Sequence, residues 1–445
     1  MNEIDLIRLL PEIVEKSRIQ ANKIINGNNS KFNIERINDI NQEENRNLLY
    51  KSDNIHAMKD LLSKGYGSKI DLIYIDPPFY SKADYIHRIE VTNDNEKKGI
   101  ETFGYTDTWK DGIKEYLEML TVRLILMKEL LSEKGSIYIH LDYRTVHYVK
   151  IITDCIFGGD NFLNEIIWAY KSGGTSNKYF SRKHDNILVY TKTKDYIFNP
   201  QKEKSYNRGF KPYRFKNVKE YEDEVGWYTL VNLKDVWQIN MVGRTSKERV
   251  GYRTQKPENL LERIILSSSN EESIVADFFG GSGTTAIVAQ KNNRRWISCD
   301  MGHISAGIMR KRLGQTNKEP YTILNNHDFL WEDRLIYELD KEINHDTAIY
   351  NFRFKEYNVD LSKIDLNKKN RSNLEHVIKS NSIALIDYIG LGYFENKNEL
   401  NIQFEGLRSQ DRLIIDNDIE LEVSSTKELV LRVVDVFGQE YLQRV

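Results

Sequence analysis

Apolar residues in this chain fall into short runs closed by turn residues, interleaved with stretches at helical spacing. Ile70-Asp71-Leu72-Ile73-Tyr74-Ile75 is a short, Ile-rich run ended by two prolines, which predicts a buried strand that stops abruptly. Ile113, Tyr116, Leu117, Leu120, Leu124 and Met127 recur at helical spacing and predict an amphipathic helix with a core-facing side. Strands are expected over 136–141 and 165–170, with a helix through Val149-Lys150-Ile151-Ile152. Ile274-Val275-Ala276 runs into a glycine-rich turn, a helical stretch (286–290) and another strand (295–299), which together make a βαβ unit. Residues 1–45 read as a polar, Asn-rich helical arm with Leu6, Ile7, Leu9, Leu10, Ile13 and Val14 on its apolar side. Ser81 to Trp109 reads as a polar, mobile loop of a length typical of functional lids. After Pro320 a linker is expected over 321–350. A small α/β domain follows over 351–445, with strands at 383–388 and 429–436 and no chemical motif.

Two of these run ends carry candidate chemistry. Asp76-Pro77-Pro78-Phe79 closes the first strand. The two prolines remove backbone donors and fix φ, giving a stiff corner. On its own this is a turn, or else a corner that accepts hydrogen bonds from an amino group and stacks a flat ring on Phe79. The second run end is Asp277-Phe278-Phe279-Gly280-Gly281-Ser282-Gly283-Thr284-Thr285. Its glycines permit positive φ and close approach of a ligand to the backbone, at a helix start that suits an anionic group. No Lys follows the last glycine, so this is not a phosphate-binding P-loop, and the glycine spacing is not that of a dinucleotide fingerprint. Asp300 ends the next strand, where an acid either caps a helix or bonds a ribose hydroxyl. His140 and Asp142, after strand 136–141, read as structural, with lining of a cofactor edge as the alternative.

Charge and length refine this picture. The chain has 445 residues and a formal charge of −2, which leaves room for a full α/β domain with accessories and offers no bulk polycation for nucleic acid. Locally the balance differs: Lys171 to Lys219 holds thirteen Lys/Arg against Asp185, Asp195 and Glu203, interleaved with Tyr and Phe. Such a stretch is either a solvated face or a surface that neutralises phosphates and stacks bases. Two cysteines, Cys155 and Cys299, exclude a disulfide framework or a Cys-rich zinc site, and no His sits at metal-ligand spacing with them. Neither a signal-peptide pattern nor a long apolar span is seen, so a cytoplasmic location is expected.

These motifs together resemble the amino-group DNA methyltransferases dependent on S-adenosylmethionine. The match is to the β class, in which the catalytic motif precedes the cofactor motif, and to the modification subunits of type III restriction systems. Asp76-Pro77-Pro78-Phe79 matches the catalytic motif, and Asp277 to Thr285 the cofactor motif. Residues 254–265, beginning Thr254-Gln255-Lys256-Pro257, match the helix before the cofactor strand, and Asn47 to Asn54 the strand whose acid faces the cofactor adenine. The resemblance covers roughly residues 45–315. Arg253 stands where proline is usual and Ser52 where glycine is usual, and Arg253 leaves the local turn geometry open.

The resemblance implies a doubly wound, Rossmann-like α/β methyltransferase fold. Residues 46–170 would form the catalytic half, 171–250 a target-recognition insert and 251–320 the cofactor half. It implies S-adenosylmethionine held by Asp53, Asp76, Lys256, Asp277, Phe278, Gly280, Gly283, Thr284, Thr285 and Asp300. Asp76 and the Pro77 carbonyl would hold the target amine in the Pro77-Pro78 corner, and Phe79 would stack on the flipped base. Tyr80, Trp168, Lys171, Lys178, Arg182 and Lys183 are the expected base and DNA contacts, with core packing as the other reading of Trp168. An Asp heading the tetrapeptide points to adenine N6, with cytosine N4 or an RNA amine as alternatives. Duplex DNA, a second copy of the chain and a restriction subunit are the expected partners. A catalytically silent specificity subunit and a nucleotide hydrolase are the competing readings; the missing Lys weighs against the latter.

Overall fold

The computed structural model describes residues 3–37, 47–93, 96–171, 173–316, 319–364, 366–408, 415, 418–424 and 427–445. Its centre is a parallel sheet in the order Leu131–Leu141, Ile70–Ile75, Ile274–Asp277, Arg295–Asp300, Asn47–Lys51, Tyr321–Asn325. Most side chains of these strands are buried on both faces, which is why they read as continuous apolar runs. Helices Glu3–Ile25, Asn54–Ser63, Ile113–Leu130 and Val146–Phe157 cover one face. Helices Glu258–Ser268, Thr284–Lys291 and His303–Gln315 cover the other. Helix Ile113–Leu130 buries Tyr116, Leu117, Leu120, Leu124 and Met127, the residues that its spacing places on one side.

Several elements differ from expectation. The stretch expected to be a mobile loop is a β-hairpin, Asp84–Asn93 with Glu96–Thr106. Val91 and Ile100 are its buried anchors, packed into the C-terminal core with Leu374, Val377 and Leu391. The alternation of Ile89 and Val91 with polar neighbours is the strand signal that the high polarity of the segment obscures. The expected linker at 321–350 holds strand Tyr321–Asn325 and most of a second hairpin, Leu335–Asn344 with Thr347–Tyr357. The arm carries a strand as well as a helix: Asn33–Ile37 pairs antiparallel with Tyr321–Asn325 and parallel with Glu399–Leu407. Through it the C-terminal strands Glu399–Leu407, Ile386–Asn396, Leu429–Asp435 and Glu440–Arg444 extend the same sheet to fourteen strands. At the opposite edge, His184–Thr191 and Val236–Gln238 return the 171–250 segment to the main sheet. Other strands of that segment form a separate three-stranded sheet, Glu220–Glu222, Trp227–Asn232 and Lys202–Tyr206, among the described residues. Among the described residues no helix is long and apolar enough to cross a membrane.

A buried charge network ties the C-terminal strands to the parallel core. The Glu35 carboxylate is 1% exposed and accepts from Arg310 Nη2 at 2.9 Å and Arg432 Nη2 at 3.0 Å. Arg432 also reaches Glu440 at 2.6 Å, and Glu440 takes Lys51 Nζ at 2.7 Å. Burial alone would raise the Glu35 carboxyl; Arg432 and Arg310 outweigh it and hold it below the usual range. Removing Glu35 takes the carboxylate from buried Arg310 and leaves Arg432 and Lys51 to share Glu440. Glu35→Ala should therefore cost about 3–5 kcal/mol, read as a lowered urea midpoint. A loss within the range of an exposed pair, about 0–1 kcal/mol, would mean that water reaches the network.

Candidate active site

The crevice lies where the crossovers diverge. Strand Ile70–Ile75 leads through helix Ile113–Leu130 to one side of the sheet, and Ile274–Asp277 leads through helix Thr284–Lys291 to the other. The two strands pair in parallel, Leu72 with Val275 and Ile73 with Ala276, so Asp76 and Asp277 sit together at their carboxyl ends. That is the switch point at which open α/β sheets bind ligands.

At the corner, Asp76 Oδ2 accepts from Lys256 Nζ, which also lies 5.4 Å from the Phe79 ring centroid. Lys256, expected among the cofactor contacts, is thus the counter-charge of the corner acid. Asp76 Oδ1 is buried and accepts no hydrogen bond among the described residues. It faces His140 Nδ1 at 4.0 Å. His140 is wholly buried between Phe79 (5.6 Å) and Trp168 (5.3 Å between ring centres). The exit of the corner is held by Asp107, buried, which accepts from Tyr80 N at 3.2 Å, Ser81 N at 2.6 Å and Trp109 Nε1 at 3.0 Å. This clamp steadies Tyr80, whose φ of 58° is in the left-handed region.

The glycine turn is held from within. Asp277 Oδ2 accepts from Thr285 Oγ1 at 2.6 Å and Oδ1 from Phe279 N at 2.9 Å. Burial pushes the Asp277 carboxyl up to about 7, against those two hydrogen bonds, with Asp76 and Asp300 adding like charge. Asp300 accepts from Gly281 N and Gly302 N, each at 2.8 Å, and burial raises its carboxyl as well. Gly283 has φ of 76°, and a Cβ there would collide with Met309. Phe278 is core, with its carbonyl accepting from Asn54 Nδ2 at 2.8 Å. Gly280 N donates to the Cys299 carbonyl at 2.9 Å, closing the turn onto the next strand. Thr284 Oγ1 donates to the Lys256 carbonyl at 3.2 Å and so joins the two motifs. On the third strand Asp53 caps helix Asn54–Ser63 through Ile55 N at 2.7 Å and pairs with Arg123 at 3.0 Å.

The expected DNA contacts divide by burial. Trp168 is 1% exposed and donates its indole N–H to the Ile239 carbonyl at 2.8 Å, so its edge is already satisfied inside the core. Lys171, Lys178 and Arg182 are exposed, while Lys183 is half-buried and donates to the Gly173 carbonyl at 2.8 Å. The Arg182 guanidinium lies 4.0 Å over Tyr143 and 4.8 Å over Tyr179, beside a 99% exposed Phe180. Tyr143 follows the strand neighbouring Asp76, so this cationic, aromatic patch shares the edge of the corner. The turn left open by Arg253 is fastened by its neighbour: Gln255 Oε1 accepts from Val250 N at 2.9 Å and its Nε2 donates to the Glu248 carbonyl at 2.6 Å. Arg253 itself lies 5.8 Å over Tyr85 of the hairpin. Asp107, Arg123 and the placement of His140 beside Asp76 are not visible in the motifs, because each works through a partner distant in sequence.

A switch point with a proline corner on one side and a glycine turn on the other defines a Rossmann-like α/β domain. The profile of the DNA methylase family matches residues 70–307. The chain is 31% identical over 264 residues to type II methyltransferase M.HpaI of Haemophilus parainfluenzae, covering 59% of this chain and 72% of that one. It is 29% identical over 179 residues to the type III restriction-modification enzyme EcoP15I Mod subunit of Escherichia coli, covering 36% of this chain and 27% of the relative. A further match, type II methyltransferase M.EcaI of Enterobacter cloacae, is 36% identical over 149 residues, with 33% of this chain and 30% of the relative covered. The chain thus spans under a third of the length of those last two relatives. Among solved structures, the M1.HpyAVI–SAM complex aligns with a TM-score of 0.40 at 19% identity, over 60% of this chain and 98% of that one. The chain belongs to the DNA methylase family.

The raised Asp277 carboxyl has a measurable consequence. The folded chain holds this proton more tightly than the unfolded chain does. That contribution to stability is complete below the ordinary carboxylate range, about pH 4. It is lost as pH rises through about 7. Asp277→Asn removes the titration, so the wild-type urea midpoint should fall relative to the variant across that window. Parallel midpoints would show that the carboxyl is ionised in the folded chain throughout.

Proposed function

We propose that this protein transfers a methyl group from S-adenosylmethionine to the exocyclic N6 amine of an adenine flipped out of duplex DNA, as the modification component of a restriction-modification system. The observation that carries the reading is the buried, unpartnered Asp76 Oδ1 at the switch point, beside a glycine turn with acids at three neighbouring strand ends. A buried acceptor without a donor is costly, and an incoming amine N–H relieves that cost. Asp53, Asp300 and the Gly280–Gly283 turn suit the adenosine part of the donor, and Asp277 holds the turn in shape. No step in this chemistry calls for a lysine after the glycines.

When bound, S-adenosylmethionine supplies an activated methyl on a sulfonium leaving group. The protein's task is the acceptor. An exocyclic amine is a poor nucleophile because its lone pair is shared with the ring. Asp76 Oδ1 and the Pro77 carbonyl each accept one N–H, which localises the lone pair and aims it across the crevice. Phe79 stacks on the ring. Lys256 supplies the counter-charge to Asp76 through Oδ2 and leaves Oδ1 to the amine. The target atom is hidden in a duplex, so the base must leave the stack. Arg182, Tyr179 and Phe180 are suited to the strand it leaves behind. The Asp at the head of the tetrapeptide favours adenine over cytosine. A restriction subunit and a second copy of the chain are partners of the same reading, supported by the resemblance to Mod subunits.

Asp76→Ala should abolish methylation of unmethylated genomic duplex DNA while retaining part of the binding of S-adenosylmethionine, followed by radiolabel transfer and by calorimetry. Wild-type turnover in this variant would sink the assignment, and single-molecule sequencing of the product gives the base and the site. Arg182→Ala should weaken duplex binding alike on all sequences and lower the salt slope by about 1. Anisotropy titrations at several salt concentrations check this, and an unchanged slope would remove the patch from the interface.

A further inference from the structure

Beside the corner lies a polar cluster that amine capture does not use. Tyr74 hydroxyl and His140 Nδ1 are 2.8 Å apart, and His140 Nε2 lies 3.3 Å from Asp185 Oδ2. Asp185 Oδ1 accepts from the Tyr170 hydroxyl at 3.2 Å. His140 is wholly inaccessible, whereas the Asp185 side chain is 14% exposed. The cluster therefore links the buried Oδ1 of Asp76, whose side chain is 17% exposed, to a second part-exposed carboxylate. A buried imidazole in contact with two carboxylates is a costly arrangement for packing alone. Phe79 and Trp168 flank the ring and leave it little room to turn.

Amine methylation leaves a proton to dispose of. As the new C–N bond forms and the S–CH₃ pair departs with sulfur, the nitrogen carries a positive charge until one N–H bond breaks. Its electron pair stays on nitrogen. Asp76 Oδ1 holds that N–H and is the first acceptor. A protonated Asp76 can no longer accept from the next amine and loses its attraction to Lys256, so the proton has to move on.

We propose that His140, oriented by Asp185, takes this proton from Asp76 and passes it to the part-exposed Asp185 carboxylate. An ionised Asp185 accepts only, so it fixes the neutral ring with its proton on Nε2 and presents Nδ1 as the acceptor towards Tyr74 and Asp76. As the Tyr74 hydroxyl gives up its hydrogen bond to Nδ1, transfer there makes an imidazolium between two carboxylates. Release from Nε2 to Asp185 and then to water restores the neutral ring. Burial opposes ionisation of Asp185, but His140, Lys256 and Tyr170 outweigh it and keep its carboxyl below the usual range. The charged or titratable groups around His140 are thus Asp76 and Tyr74 on one strand and Asp185 on another. Tyr170 and Lys256 lie behind these, and Asp142 and Asp277 further out act on Asp185 and Tyr74. His140 is a positioning residue in this scheme, since it acts through Asp76 and does not touch the base.

The inference rests on the methyl-transfer reading and is tested separately from it. Initial rates on unmethylated genomic duplex DNA with labelled S-adenosylmethionine would be measured across pH for the wild type, His140→Gln and Asp185→Asn. His140→Gln should lower kcat by about 10- to 100-fold with KM for S-adenosylmethionine unchanged. The acidic limb of the wild-type profile should shift to lower pH in the variant. Asp185→Asn should shift the limb down partway, and it carries the test if His140→Gln fails to fold. An unmoved limb and an unchanged kcat would overturn the relay. A kcat loss in both variants with an unmoved limb would also overturn it and leave His140 a packing residue. A wild type that methylates no DNA would instead overturn the methyl-transfer reading.

Discussion

The parallel pairing of Ile70–Ile75 with Ile274–Asp277 is the constraint on which the site depends. The two strands lie some two hundred residues apart in the chain, and their contact is a short ladder, Leu72 with Val275 and Ile73 with Ala276. Both are apolar and covered by helices on each face, so slipping the register would turn buried side chains against the wrong layer. Their crossovers leave in opposite directions, and this opens the crevice above the carboxyl ends. Asp76, the glycine turn and the Lys256 that precedes helix Glu258–Ser268 meet there because two adjacent strand ends and a helix start converge at this point.

Around this junction the structure uses buried polar groups to define geometry. Asp107 shapes the exit of the proline corner, Asp300 and Asp277 shape the glycine turn, and Arg123 fixes Asp53. Each carboxylate pays for its burial with backbone N–H groups or a cation. Asp76 is the exception, with one oxygen paired to Lys256 and the other accepting no hydrogen bond among the described residues. The hairpin after the corner is anchored by Val91 and Ile100 in the C-terminal core, with Asn370 Nδ2 donating to the Glu101 carbonyl at 3.1 Å. The C-terminal region is therefore physically continuous with the segment that leaves the active corner. It is also tied to the parallel strands through Glu35, Arg432, Glu440 and Lys51.

Much of the site was legible before folding, for a specific reason. The corner and the turn are built from residues whose backbone demands are local: two prolines after a strand, glycines at positive φ, an acid at a strand end. The family resemblance added the order of these motifs and the class of ligands. The hairpin at 84–106 was not legible, because its stability comes from two apolar anchors meeting a core almost three hundred residues later, while its other positions are polar. The strands at 321–357 were hidden for the same reason. Trp168 sat equally well in a base pocket or a core on sequence grounds; burial and the bond from its indole to Ile239 put it in the core. His140 read as structural until the sheet set it 4.0 Å from Asp76.

The sequence by itself determined the two local motifs of the candidate site: a stiff proline corner headed by an acid and a glycine turn at a strand end, the parts that the proposed function reads as amine and cofactor sites. Local backbone restriction and strand-forming runs are properties of neighbouring residues and need no tertiary context. Only the tertiary structure decided that Lys256 is the partner of Asp76, that the C-terminal strands belong to the same sheet, and that His140 and Asp185 stand behind the corner. Those are pairings of charges and edges between distant segments. They exist because an unpaired polar group is costly in a low-dielectric interior, so most buried ones take a partner wherever the fold brings one within reach.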